Sequence, residues 1–449
     1  MEVHVIGAGL AGSEAAWQLA RRGFEVRLSE MRPGRTSPAH RTGQAAEMVC
    51  SNSFKSDDPA SATGILKAEM RRMGSLVLEC AEQARVPAGQ SLAVDRDVFA
   101  AKVTERLLSH PRIRWQEREL DHPEDGVPTI IATGPLSTDA IASWISAACG
   151  AKGLFFYDAI APIVLADSID PSVAYRASRY GKGSADFLNC PLDKQAYERF
   201  IDALLGAERV ELHDFDTPYF EACLPIEVMA ERGRETLRFG PMKPVGLEHP
   251  LTGQRAHAVV QLRQDTLAGD HYNLVGFQTR LKWSAQREVF RLIPGLENAE
   301  FARFGSIHRN TYVRAPEVLD ATLAIRSRAG LWIAGQLAGV EGYLESAAAG
   351  MAAADSAVRW TQGLPARPFP RETMLGSLLH YLAHAEASGF SPVNAMLGLL
   401  PELAPDCFDP RSVKRQFGTR GVKRVKGEMM RERALQALER HLATVPEHT

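Results

Sequence analysis

The N-terminal stretch alternates short apolar runs with helix-forming segments. Val3–Ile6 (V-H-V-I) is largely apolar and runs into Gly7-Ala8-Gly9-Leu10-Ala11-Gly12, then into Ser13–Arg22, whose Ala and Leu content favours helix. Phe24–Ser29 reads as a second strand ending at Glu30, and Thr129–Gly134 (T-I-I-A-T-G) as a buried strand closing on a small turn. Late in the chain, Gly330–Ala349 repeats the theme: a strand (Leu331–Ala334), a glycine-rich connection and an alanine-rich helix. Strands alternating with helices predict an α/β domain, here Rossmann-like, over residues 1–167 with a return segment at 304–363. The intervening residues 168–303 mix strands (Glu227–Met229, Val259–Leu262), helical pieces (Lys194–Leu205, Gln286–Leu292) and Pro/Gly turns, which predicts an inserted α+β domain. Leu364–Pro370 reads as a linker into C-terminal helices over 364–449, placed around Glu372–Glu386, Ser391–Leu399 and Gly427–Leu442.

Composition narrows this picture. Across 449 residues, 45% are hydrophobic and 24% charged, with a net charge of −2, the balance of an ordinary globular protein. No apolar run reaches the roughly 18–20 residues needed to span a bilayer, and the N-terminus reads as a strand entering a glycine turn, not as a secretory signal. Cytoplasmic residence without membrane contact is therefore expected. The cysteines (Cys50, Cys80, Cys149, Cys190, Cys223 and Cys407) include no C-x-x-C pair, so neither a metal site nor a dithiol motif is expected.

The spacing of Gly7, Gly9 and Gly12 matches G-x-G-x-x-G in its strand–turn–helix setting. Gly7 permits the tight turn, Gly9 lets backbone approach a pyrophosphate, and Gly12 lets helix pack closely on strand. The helix N-terminus offers free amides and partial positive charge to the phosphates. Glu30, roughly 20 residues beyond the glycines, is placed to accept from a ribose hydroxyl. The late strand–turn–helix with Gly335, Gln336 and Gly342 selects FAD over NAD, because glutathione-reductase-type flavoproteins close their site with such a return. No second G-x-G-x-x-G is visible, so a nicotinamide donor is expected to lack its own Rossmann domain.

Several stretches taken together are more specific: V-I-G-A-G-L-A-G-S-E-A-A (Val5–Ala16), E-M-R-P (Glu30–Pro33), P-A-H (Pro38–His40), A-E-M-V-C-S-N-S (Ala46–Ser53), V-P-A-G-Q-S-L-A-V-D-R (Val86–Arg96) and A-G-Q-L-A-G-V-E-G-Y-L-E-S (Ala334–Ser346). This closely resembles the folate- and FAD-dependent tRNA (uracil-5-)-methyltransferases. The related glucose-inhibited-division flavoproteins share the A-G-Q turn but usually carry a C-terminal extension that this chain lacks. Phe54 and Lys55 stand where that family leads one to expect Leu and Arg. The resemblance implies a reaction in which 5,10-methylenetetrahydrofolate supplies the carbon and FADH2, regenerated by NAD(P)H, the electrons. The product is 5-methyluridine at the T-loop uridine of tRNA.

That chemistry makes demands on residues. Uracil C5 is a poor nucleophile until a group adds at C6, and a thiolate both adds and leaves well. The resemblance marks Cys50 and Cys223 as the functional cysteines. We read Cys223, in Y-F-E-A-C-L-P, as the C6 nucleophile and Cys50, in M-V-C-S-N-S, as the partner handling the C5 proton or methylene unit, with the exchange of roles left open. The other cysteines read as small buried hydrophobes. The resemblance further suggests that His308, in G-S-I-H-R-N-T-Y, holds the pterin of tetrahydrofolate against the flavin, and Arg309 beside it could pair with a carboxylate. For RNA, Arg411–Arg433 carries Arg411, Lys414, Arg415, Arg420, Lys423, Arg424, Lys426, Arg431 and Arg433 against Glu428 and Glu432, with Phe417 its one aromatic. Arg232, Arg234 and Arg238 form a smaller second candidate. Three rival readings remain at this level: the same chemistry on ribosomal RNA, a flavin oxidoreductase acting on a small molecule, and a non-catalytic RNA-binding protein holding FAD structurally.

Overall fold

The computed structural model describes residues 2–37, 39–150, 154–181, 184–210, 224–404 and 407–443; Cys223 lies outside them. Its organising element is a five-stranded parallel sheet in the order Leu331–Ile333, Thr129–Ile131, Glu2–Ile6, Glu25–Glu30, Ile113–Glu117. The central strands are covered on both faces: Val3, Val5 and Leu28 are fully buried on one, and on the other His4 and Ser29 are buried and hydrogen-bonded to each other (2.8 Å). One covering layer pairs the first helix (Leu10–Arg21) with the return helix (Tyr343–Thr361). Their approach is so close that a Cβ on Gly350 would collide with the Ala11 carbonyl oxygen. The alanine run Ala347–Ala349 and Ala352–Ala354 serves the same end: small side chains allow two backbones to meet.

A second, six-stranded antiparallel sheet draws its strands from Ile163–Leu165 through Phe301–Arg303, in the order Tyr175–Arg176, Leu188–Leu192, Ala258–Gln264, His271–Leu274, Ile163–Leu165, Phe301–Arg303. It has its own core, in which Val164, Val260, Leu262 and Leu274 meet Phe200, Phe277 and Phe290 from the helical side. A two-stranded antiparallel ribbon, Leu154–Ile160 with Ser306–Tyr312, carries the chain out to this sheet and back. The architecture is thus the expected α/β fold with an α+β insertion and C-terminal helices.

Several elements differ from the expectation. Glu227–Met229 is helical, within Ile226–Glu231: Pro225 starts the turn, and the buried Glu227 accepts from Thr279 Oγ1 (2.9 Å) and the Arg280 amide (2.8 Å). Ser391–Leu399 is mostly extended, with a short 3-10 turn at Leu397–Leu399, because its backbone pairs with the return segment. The Glu341 amide donates to the Val393 carbonyl (2.8 Å) and the Val393 amide to that of Gly339 (3.0 Å). The last helix runs over Pro410–Ala443, broken at Gly418 (φ 69°), and so begins well before Gly427. Among the described residues, no helix is long and apolar enough to cross a membrane.

Candidate active site

The turn after the first strand is built as the glycine spacing requires. Gly7 has φ of +98° and backs onto Ala132, and a Cβ on Gly12 would strike the Gly7 carbonyl oxygen, so these two glycines are fixed by packing. Gly9 differs: nothing lies within 4 Å of where its Cβ would stand, because it faces a cleft. The cleft encloses about 770 Å³, its open side included, and is lined by Gly7, Gly9, Leu10, Ala11, Glu30, Gly335 and Gln336 together with Tyr343 and Ser346 of the return helix. A second hollow of about 390 Å³ continues it past Glu30, Thr133 and Ile141 and shares Gly7, Glu30 and Met31. Ala8, Gly12 and Gly342 are not part of this lining. The first-turn amides of both helices open toward the cleft, a site for anionic groups at two points.

Glu30 is held rigidly. Its Oε2 accepts from the Ala8 amide (2.7 Å), and its Oε1 accepts from Arg32 Nε (2.8 Å) and the Arg32 amide (3.1 Å); Arg32 also pairs with Glu47 (3.1 Å). Burial alone would raise the carboxyl's pKa, but the Arg32 hydrogen bond and charge, with the Ala8 amide, outweigh it and hold it below the usual range. Glu30 therefore stays ionised and keeps lone pairs for a hydroxyl. The residues fit a dinucleotide: a cradle that a Gly9 side chain would fill, a fixed carboxylate, and two helix N-termini.

At the inner end of the cleft the chain turns through Val49, which lines it, to Cys50. Cys50 is half-buried, and its amide donates to Tyr343 Oη (2.7 Å), as does that of Ser51 (3.2 Å). Tyr343 thereby ties the Cys50 segment to the first residue of the return helix. Burial, reinforced by Cys50, pushes the Tyr343 hydroxyl upward, so it stays a neutral acceptor. Cys50 Sγ lies 4.0 Å from the Ala159 carbonyl of the ribbon, and Arg263 Nη2 of the second sheet donates to Ser51 Oγ (3.0 Å). Cys50 thus stands where the cleft, the ribbon and the second sheet meet.

Cys223 falls outside the described residues, which resume at Leu224; just beyond, the Ile226 amide donates to the Gln278 carbonyl (2.8 Å). His308 and Arg309 lie on the ribbon strand Ser306–Tyr312, in register with Asp158 and Tyr157; their side chains lie outside the description. In the last helix, Arg424 pairs with Glu428 and Lys426 with Glu402, and Arg433 binds the carbonyls of Pro401 and Glu402, whereas Lys414, Arg415 and Lys423 are exposed. The smaller basic candidate is largely spent within the fold, since Arg234 pairs with Asp202 (2.7 Å) and Arg238 with Glu235. Sequence reasoning assigned no role to Tyr343, Arg32, Arg96, Arg263 and Arg303. The first three lie inside the family-like stretches, and Arg32 also stands two residues after the ribose acid.

The chain matches the family described as Glucose inhibited division protein A over residues 2–365. Among curated relatives, it is 54% identical over 402 residues to Methylenetetrahydrofolate--tRNA-(uracil-5-)-methyltransferase TrmFO of Desulforudis audaxviator, covering 89% of this chain and 92% of that one. It is 51% identical over 426 residues to the protein of the same name from Anoxybacillus flavithermus, covering 95% and 98%. Among solved structures, GidA of Aquifex aeolicus superposes with a TM-score of 0.66 at 18% identity, covering 98% of this chain and 76% of that one, a likeness of fold. The chain therefore belongs to the glucose inhibited division protein A family and, within it, to the methylenetetrahydrofolate–tRNA-(uracil-5-)-methyltransferases.

Proposed function

We propose that this protein methylates C5 of a uridine in tRNA, the T-loop uridine, taking the carbon from methylenetetrahydrofolate. The supporting observation is the place of Cys50: a half-buried thiol one residue beyond the wall of a dinucleotide cleft, facing the junction with the second sheet. A flavin oxidoreductase acting on disulfides would place a closely spaced cysteine pair there, and no second cysteine stands near Cys50 in the sequence. When bound, the flavin supplies the reducing equivalents that turn a methylene unit into a methyl group, and NAD(P)H restores them.

The chain's own residues divide the remaining work. The two helix N-termini and Glu30 orient the dinucleotide. In this reading Cys223 adds to uracil C6, which makes C5 nucleophilic, and leaves when the C5 proton is removed. Cys50, anchored through its amide on Tyr343, handles that proton or the methylene unit. His308 and Arg309 lie on the ribbon between the two sheets, a position from which a folate could be held over the cleft. Residues 1–167 and 304–363 act as the cofactor unit in this scheme, 168–303 as the substrate unit and 364–449 as a helical flank.

The two cysteines provide the test. Cys223→Ala is expected to abolish methyl transfer while flavin content and tRNA binding stay at wild-type levels, and Cys50→Ala to do the same. Methyl transfer by either variant at the wild-type rate would remove that cysteine from the mechanism.

A further inference from the structure

The second sheet shows its two faces differently. Val164, Leu262 and Leu274 point into the core of its own domain. On the opposite face the register aligns one row across four strands: Arg263 opposite Asn273, Asn273 opposite Ile163, and Ile163 opposite Arg303. Arg303 reaches this row through a bulge. Phe301 and Arg303 pair with the consecutive residues Val164 and Ile163, so Phe301 joins the core and Arg303 is turned to the far side. That face abuts the Cys50 segment, because Arg263 donates to Ser51 Oγ and the Gln264 carbonyl accepts from Asn52 Nδ2 (3.0 Å). Arg96, at the start of the helix Arg96–Leu108, adds a third guanidinium.

The row is rich in donors and poor in acceptors. Asn273 is 4% exposed, yet its Nδ2 has no hydrogen-bond partner; the buried Nε atoms of Arg263 and Arg96 have none either. Asp265, paired with Arg96 at 3.0 Å, is the carboxylate bound to this group, and Arg303 makes no ion pair among the described residues. Burial and the like charge of Arg96 push Arg263 down to about 10, and burial with Arg96 and Arg41 does the same to Arg303; both remain cationic at neutral pH. Half-buried cations and orphan buried donors are costly, and an anion offsets that cost.

We infer that the Arg263–Asn273–Arg303 row, with Arg96, binds the phosphodiester backbone of the RNA strand that presents the target uridine beside Cys50. This rests on the function proposed above and extends it to how the strand is held. Three strand spacings make the row about 14 Å wide, a track for successive phosphates. A phosphodiester is always anionic at neutral pH and accepts from several donors at once.

The test compares wild type with Arg303→Gln and Arg303→Lys, each carrying its flavin. Binding of unmodified tRNA is measured between about 50 and 200 mM salt, with the KM for methylenetetrahydrofolate beside it. Arg303→Gln is expected to weaken tRNA binding several-fold and to lower the salt slope by about 0.7–0.9, leaving the folate KM unchanged, while Arg303→Lys restores the slope. Unchanged tRNA affinity and slope would overturn the inference. So would a rise in folate KM alone, which would give the row to folate carboxylates. Independently of any variant, ethylating the phosphates that flank the target uridine should block binding to the wild-type protein, and undiminished binding would also overturn it. Wild-type turnover, measured in parallel, tests the underlying function separately: ethylation interference without methyl transfer would sink the function and leave the backbone site standing.

Discussion

Two glycines that look alike in sequence do different work at the residue scale. Gly9 has an ordinary φ of −68° and open space where a side chain would go, so Gly9→Ala is expected to leave the stability of the apoprotein nearly unchanged and to weaken flavin binding at least tenfold. Gly350→Ala forces a methyl group into the Ala11 carbonyl and should cost about 1–3 kcal/mol of stability, with flavin loss only as a consequence. Denaturant melts of the apoproteins beside flavin titrations separate the two; a destabilised Gly9→Ala apoprotein would contradict the assignment of Gly9 to the cofactor face. The nucleotide turn was legible because its chemistry is local: three glycines, a helix and an acid within one strand–helix–strand unit. The surroundings of Cys50 were not, because Tyr343 and Arg263 reach it from distant parts of the chain. In V-V-Q-L-R-Q, Arg263 reads as one more outward position of an alternating strand. Only the register across four strands reveals that it shares a face with Asn273 and Arg303, beside the Cys50 segment.

At the scale of elements, the C-terminal helices are bound to the nucleotide domain by a buried carboxylate. Glu69, on the helix Ala62–Arg72, accepts from the amides of Met374 (2.7 Å) and Leu375 (3.0 Å) and so caps the helix Met374–His384. Burial, opposed by those two amides, raises its pKa from 4.5 to about 7. Between these values the folded protein holds a proton that the unfolded chain has released, so stability falls as pH rises through the window. The full effect is about 3 kcal/mol. Glu14 and Glu227, also buried and shifted upward, add to the same slope. Urea midpoints from pH 4.5 to 7 should decline in wild type and decline less in Glu69→Gln; equal slopes would show that Glu69 is ionised throughout. The helix and strand expectations that failed did so for tertiary reasons. Ser391–Leu399 has enough apolar residues for a helix, but its backbone serves as the pairing partner of Gly339–Glu341. In the last helix, charged residues on most faces hide the period up to Gly427, and packing supplies what the pattern lacks: Gly427 sits against the Ala60 carbonyl, and Glu439 pairs with Arg72.

For the whole molecule, a net charge of −2 conceals where cations are free to act. Arg424, Lys426 and Arg234 each have an acid within reach, whereas Lys414, Arg415 and Lys423 are exposed along the last helix. Replacing those three together by Ala should weaken tRNA binding and lower the salt slope by about 2–3, while Arg234→Ala should change neither. Equal effects from the two variants would show that local pairing does not decide which cations contact RNA. The broader account joins a cofactor cleft on one sheet to a donor-rich face on another, with Cys50 between them. Its central claim is tested most directly by incubating the purified protein with tRNA, NADPH and tetrahydrofolate labelled in its methylene carbon, then digesting the RNA to nucleosides. The account requires the label in 5-methyluridine from the T-loop; label absent from that nucleoside, with flavin bound and competent tRNA present, or label found only in ribosomal RNA supplied alongside, would contradict it.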